Sequence, residues 1–78
     1  MRAFVTLKAN PKETKQLMEN LRENKHIIEA YLVHGPYDCI IQIKAKDIET
    51  INKAVMNIRD IPGVLDTMTS MVAHRWKR

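Results

Sequence analysis

Residues in the middle of the chain and near its end carry groups that could bind a small polar ligand. Gly35, Tyr37 and Asp38 lie in a short turn, and Thr67 and Thr69 lie on the last strand-like segment. An amino acid has an ammonium group, which donates hydrogen bonds to a carboxylate. It also has a carboxylate, which accepts hydrogen bonds from hydroxyls and backbone amides. These residues supply both halves of such a site, although the same types are also ordinary in turns and strands.

Signals for catalysis or for a metal ion are weaker. The histidines His26, His34 and His74 lack the spacing that places two metal ligands on one helix face, and no nucleophile lies beside a candidate base. Gly35 and Gly63 are the only glycines, so a glycine-rich phosphate loop is absent. We therefore expect no cofactor, no metal site and no enzymatic activity.

The composition is that of one small globular domain spanning residues 1–78. Of its residues, 45% are hydrophobic and 28% are charged. A chain of this length buries only about 60% of its unfolded surface, so a partner subunit would relieve a marginal core. Cys39 is the only cysteine, which excludes an intrachain disulfide, and its apolar neighbours favour a small core residue.

The basic charge is concentrated at the end of the chain. The formal net charge is +4, but Arg75, Lys77 and Arg78 lie in the last four positions, and without them 10 − 9 leaves +1. The body is nearly neutral, and the basic tail is either a solvated end or a contact for phosphate. Neither a signal peptide nor an apolar segment of membrane-spanning length is visible, which predicts a cytoplasmic protein without a membrane role.

The turn at Gly35 separates two β-prone runs, 26–33 and 39–46, as expected for a hairpin. In this interpretation Gly35 supplies an unusual backbone angle and Asp38 a rigidly held carboxylate. Before the hairpin, residues 2–8 alternate like a strand, and a helix begins at Asn10-Pro11 and runs to about residue 24. The side chain of Glu13 is placed to accept a hydrogen bond from the amide of Asn10.

The second half repeats this order. Asp47 is a helix cap, and Ile61-Pro62-Gly63 ends the helix. The stripe on this helix is Ile48, Ile51, Val55 and Ile58. The last strand covers about 64–73, with one face formed by Leu65, Thr67, Thr69 and Met71.

Strand, helix and strand occurring twice predict an α+β, ferredoxin-like βαββαβ fold, with a four-stranded antiparallel sheet and both helices on one face. The opposite face is then uncovered and apolar, and such a patch usually marks an interface. We expect two copies to pack sheet to sheet. The residues predicted on that face are Phe4, Thr6, Ile28, Ala30, Leu32, Ile40, Gln42, Leu65, Thr67, Thr69 and Met71.

The whole chain resembles the ligand-binding domain of the Lrp/AsnC family, often called RAM. The resemblance rests on the turn Val33-His34-Gly35-Pro36-Tyr37-Asp38, on Ile61-Pro62-Gly63-Val64 and on Thr67-Met68-Thr69. It implies a dimer formed through the sheet, assembly into octamer-like rings, and free amino acids bound in clefts between subunits.

The resemblance also implies which residues hold the effector. They are Val33, His34, Gly35, Tyr37 and Asp38 in the loop, with Thr67 and Thr69 on the last strand. Asp38 would accept the ligand ammonium, while loop amides and the threonine hydroxyls would hold its other polar groups. His34 stands where the resemblance implies a small hydroxyl residue.

The chain starts directly in its first strand, without the helix-turn-helix domain that family regulators carry. We therefore expect a stand-alone domain that does not itself bind specific DNA sequences and that senses an amino acid for a partner or co-assembles with full-length relatives. The main alternative is a small cofactor-free enzyme of the dimeric α+β barrel type. An RNA-binding role is disfavoured, because the third strand has no aromatic residue.

Overall fold

The computed structural model describes all 78 residues and contains four strands and two helices. The four strands form one antiparallel sheet in the order β2-β3-β1-β4, which confirms the ferredoxin-like prediction. The elements are β1 (Arg2–Ala9), α1 (Thr14–Leu21) preceded by a 3-10 turn (Pro11–Glu13), β2 (Ile27–Leu32), β3 (Cys39–Lys44), α2 (Ile48–Arg59) and β4 (Val64–Met71).

The first helix begins as expected but is shorter. The side-chain oxygen of Asn10 accepts from the amide of Lys12 at 3.1 Å. The prediction that Glu13 accepts a hydrogen bond from the amide of Asn10 is wrong, because that amide donates to the carbonyl of Gly63 at 2.8 Å. The α-helix ends at Leu21, before the predicted residue 24, and Asn24 instead caps the entry to β2 by accepting from the amide of His26 at 3.1 Å.

The second helix has the predicted cap and a shifted buried face. The carboxylate of Asp47 accepts from the amide of Thr50 at 2.8 Å and from its hydroxyl at 2.6 Å, and these two bonds lower the pKa of Asp47. Ile48 was expected in the buried stripe but is 52% exposed, whereas Ala54 is buried. Neither helix has the length and apolarity needed to cross a membrane.

The core lies between the sheet and the helices. All 13 buried residues are hydrophobic, and none is polar or charged. Both helices therefore cover the same face of the sheet, since they contribute to one cluster with the alternating residues of β1 and β3. The cluster consists of Ala3, Val5, Leu7, Ala9, Leu17, Leu21, Cys39, Ile41, Ile43, Ile51, Ala54, Val55 and Ile58.

The predicted register of β4 is wrong. Thr67 pairs with Leu7 and Thr69 pairs with Val5, and directly opposed residues of an antiparallel pair point to the same face. Both threonines, and Met71 opposite Ala3, thus lie on the side of the helices. The sequence of the strand does not show which face is buried, because each face carries a methionine and small polar residues. An irregularity between Lys8 and Ala9 sets the register.

An irregularity between Ile27 and Glu29 likewise shifts β2, so that Ala30 and Leu32 oppose the buried Ile41 and Cys39. They do not lie on the uncovered face as expected. We call the uncovered side the outward face. Its paired residues are Phe4, Thr6, Glu29, Tyr31, Ile40, Gln42, Met68 and Ser70 in the middle of the sheet, with the charged pairs Arg2–Lys44 and Lys8–Asp66 at its ends.

Candidate functional site

The Val33–Asp38 loop joins β2 to β3 and is fixed at both ends. The amide of Val33 donates to the carbonyl of Asp38 at 3.0 Å, which closes the loop on itself. The amide of Asp38 donates to the carbonyl of Leu7 at 2.9 Å, which attaches the loop to the central strand β1. The loop is therefore positioned by the sheet, although His34 and its glycine and proline neighbours are exposed.

The carboxylate of Asp38 has a structural partner that the sequence did not reveal. Its Oδ2 accepts from the amide of Ala9 at 2.8 Å, across a separation of 29 residues. Ala9 lies where the β1–β4 pairing shifts register, and Asp38 satisfies the amide there. One oxygen of the carboxylate is thus committed to the fold, and Oδ1 is the atom left for an ammonium group.

The middle of the loop offers unused backbone donors. None of the chain's hydrogen bonds uses the amides of His34, Gly35 or Tyr37 as a donor. A Cβ built on Gly35 would meet no atom within 4 Å. The positive φ expected at Gly35 is absent, and Gly63 has it instead, at +95°. Gly35 therefore leaves an open approach to the backbone rather than relieving strain.

Tyr37 connects the loop to the far edge of the sheet. Its hydroxyl lies 3.9 Å from the sulfur of Met68 on β4, so the side chain reaches past β1. Met68 is opposite Thr6 on the outward face, and the hydroxyl of Thr6 is 3.5 Å from the carbonyl of Met68. Tyr37 thus places the loop in contact with the outward face.

Thr67 and Thr69 do not join this arrangement within one chain. They face the helix side, whereas Tyr37 reaches β4 on the outward side. Thr67 is half-buried and lines a separate hollow of about 250 Å³ with Arg59 and Asp66. Arg59 was not among the predicted site residues, because a basic residue in the last turn of a helix is ordinary.

The remaining candidates for chemistry are the Cys39 thiol, the Tyr31 hydroxyl and side chains that could hold a metal ion. Burial raises the pKa of the Cys39 thiol, so it stays protonated and is a poor nucleophile. On the outward face, the hydroxyl of Tyr31 donates to the carboxylate of Glu29, which raises the pKa of Tyr31. No group of three or more His, Cys, Asp or Glu side chains is placed to hold a metal ion.

Comparison with known proteins gives a consistent family. The family model described as the Lrp/AsnC ligand binding domain matches residues 2–78. The HTH-type transcriptional regulator FL11 of Pyrococcus horikoshii is 33% identical over 72 residues, covering 92% of this chain and 48% of the relative. LysM, an HTH-type transcriptional regulator of Sulfurisphaera tokodaii, is 30% identical over 77 residues, covering 97% and 55%. The chain spans about half the length of these relatives.

Solved structures and one partial match extend the comparison. TTHA0845 from Thermus thermophilus has a TM-score of 0.89 at 28% identity, over 99% of this chain and 98% of that chain. The L-Met complex of the transcriptional regulator NMB0573 from Neisseria meningitidis shares the fold, with a TM-score of 0.88 at 18% identity over 99% and 52%. A 44-residue segment, 56% of this chain, is 39% identical to 10% of the homocitrate synthase of Sulfurisphaera tokodaii.

Proposed function

The chain belongs to the Lrp/AsnC family as a ligand-binding domain, and from that premise we propose that it binds a free amino acid and has a regulatory, non-enzymatic role in transcription. The effect on transcription passes through partner polypeptides, among them longer relatives with which the chain co-assembles. This role places the protein in the cytoplasm.

The observation that carries the proposal is a loop held rigidly at its ends with free donors at its centre. The amides of His34, Gly35 and Tyr37 donate to no atom of the chain, while the bonds of Val33 and Asp38 fix the loop. Amides that are already positioned bind a carboxylate without the cost of ordering a flexible segment. Beside them, Oδ1 of Asp38 is available to the ammonium group.

Two of the similarities support a small effector as the ligand. NMB0573, which has a related fold, is known in complex with L-Met. At 18% identity this supports the ability of the fold to bind an amino acid, and it does not indicate which amino acid this chain binds. The partial similarity to homocitrate synthase links this kind of sequence to an enzyme as well as to regulators. Binding a small effector can serve both an enzyme and a transcriptional regulator, whereas binding DNA serves only the regulator.

We propose that a second copy completes the site. The threonines face away from Tyr37 within one chain, so Thr67 and Thr69 can contact the same ligand only if another subunit brings them to the loop. The exposure of Phe4 (39%), Tyr31 (52%) and Met68 (55%) on the outward face supports a dimer through that face. Such a dimer leaves the threonines on the helix side of each copy, so a further contact between dimers brings them to a loop. Two copies packed through this face form the basic dimer, and higher rings follow from further contacts.

The test is isothermal calorimetry of the protein against a panel of free amino acids, with Gly35→Ala as the decisive variant. The added methyl meets no protein atom, so the variant should melt at the wild-type temperature. It should nevertheless bind the effector at least about tenfold more weakly, because the methyl occupies the approach to the loop amides.

A matched control is Ala30→Gly, a one-methyl change on β2 away from the loop, which should retain affinity. Asp38→Asn separates the ammonium contact from the fold, because the amide oxygen can still accept from Ala9 while the negative charge is lost. Wild-type affinity in Gly35→Ala would contradict the role of the loop. An absence of binding to every amino acid would contradict the effector class.

A further inference from the structure

The hollow beside Thr67 contains a positively charged side chain that the chain itself does not use. Arg59 lies in the last turn of α2 and lines this hollow of about 250 Å³ together with Thr67. Neither the guanidinium of Arg59 nor the hydroxyl of Thr67 takes part in a hydrogen bond within the chain, and Asp60, the next residue, accepts none from Arg59. The donors of Arg59 are therefore available to a group from outside the chain.

Arg59 supplies the charge on the helix side of this hollow. The other charged residue in the lining is Asp66, which is directly opposite Lys8 at one end of the outward face. Successive side chains of a strand point to opposite faces, so the carboxylate of Asp66 lies across β4 from Thr67 and on the side of Lys8. The helix side of the hollow thus offers a guanidinium and a hydroxyl, and both can donate hydrogen bonds to an anion.

This hollow stays open in the proposed dimer. That dimer packs through the outward face, whereas Arg59 on α2 and Thr67 lie on the helix side of the sheet. Leu65 lines the same hollow and is 69% exposed, so covering it with a further copy removes apolar surface from water. A contact that brings Thr67 to the loop of another copy also brings Arg59, because the two residues line one hollow.

We propose that Arg59 selects an effector with a negatively charged side chain, an acidic amino acid. This inference rests on the proposed function, in which the loop amides and Oδ1 of Asp38 hold the carboxylate and the ammonium group of the ligand. The ligand side chain is the group left over, and it meets the copy that supplies Thr67. There the guanidinium of Arg59 binds a side-chain carboxylate through two parallel hydrogen bonds, and the hydroxyl of Thr67 donates another.

Calorimetry with two pairs of ligands, L-glutamate with L-glutamine and L-aspartate with L-asparagine, tests this selection. The members of each pair have nearly the same shape and differ in the charge of the side chain. For the wild type, the acid of one pair should bind at least about tenfold more tightly than its amide. Arg59→Gln should lose this preference, while its affinity for the amide stays within about twofold of the wild type. Arg59→Lys should keep part of the preference, because an ammonium group retains the charge without the paired donors.

The matched control is Arg22→Gln, the same substitution at the end of α1, and it should retain the preference of the wild type. A mixture of Arg59→Gln and Gly35→Ala chains, refolded together from urea, tests whether Arg59 acts on a ligand held by another copy. The mixture should recover tight binding of the acid, because some of its sites join an intact loop to an intact Arg59. Without recovery, the assignment of Arg59 to the second copy is overturned.

The remaining outcomes separate this inference from the proposed function. Tighter binding of a neutral or basic amino acid than of both acids would overturn the selection by Arg59 and leave the amino-acid-binding role intact. An equal loss of preference in Arg22→Gln would overturn it in favour of the net charge of the protein. An absence of binding to every amino acid would overturn the proposed function, and this inference with it.

Discussion

Replacing Asp38 by alanine should destabilise the whole fold, because its carboxylate satisfies the amide of Ala9. That bond is 2.8 Å long, and Ala9 is only 3% exposed, so water has little access to replace the missing oxygen. Hydrogen bonds to charged groups contribute about 1.5–3 kcal/mol, which gives an expected loss of about 2 kcal/mol in the free energy of unfolding. In a domain of this size the corresponding fall in melting temperature is about 8–16 °C.

Urea denaturation followed by circular dichroism measures this loss directly. Asp38→Asn should lose less stability than Asp38→Ala, because its amide oxygen can still accept a hydrogen bond from the amide of Ala9. The control Glu19→Ala removes the same charge from the exposed surface of α1 and should change stability by less than about 0.5 kcal/mol. If Asp38→Ala unfolds at the same urea concentration as the wild type, the structural role of the carboxylate is refuted.

Three further outcomes follow from the packing. Ile40→Lys places a charge on the outward face and should convert the proposed dimer to a monomer in light scattering after size exclusion, whereas Met56→Lys on the exposed side of α2 should not. A monomeric wild type would refute the interface. Gly63→Ala should cost about 1–2 kcal/mol in the free energy of unfolding, measured by urea denaturation, because φ is +95° and the new Cβ would lie 2.9 Å from Cβ of Glu13; unchanged stability would contradict this geometry. The pKa of Asp47 is lowered in the folded state, so its contribution is present above its ordinary pKa of about 3.9 and is lost as the pH falls through the lower folded value. The stability difference between wild type and Asp47→Ala should therefore shrink between neutral and acid pH in urea titrations, and a constant difference would argue against the cap.

The central part of the fold follows from the sequence, because its signals are local. The alternation of Ala3, Val5 and Leu7 and that of Cys39, Ile41 and Ile43 both predict buried faces that the structure contains. The cap and most of the stripe of α2 are equally local.

The last strand is different, because its face is set by pairing rather than by its own pattern. Thr67, Met68 and Thr69 alternate without a clear apolar side, and the irregularity between Lys8 and Ala9 decides which of them face the helices. The partner of Asp38 is also remote, 29 residues away, and a turn aspartate gives no sign of it. The loop could be located from the sequence, but its attachment could not.

The position of β1 at the centre of the sheet has a consequence for how the chain folds. β1 is made first, yet its neighbours are β3, which begins at Cys39, and β4, which ends at Met71. Both strands that pair with β1 therefore lie far along the chain, and such non-local pairing slows folding. During synthesis one edge of this apolar strand stays unpaired until β3 has emerged and the other until β4 has, and unpaired strand edges expose the nascent chain to aggregation.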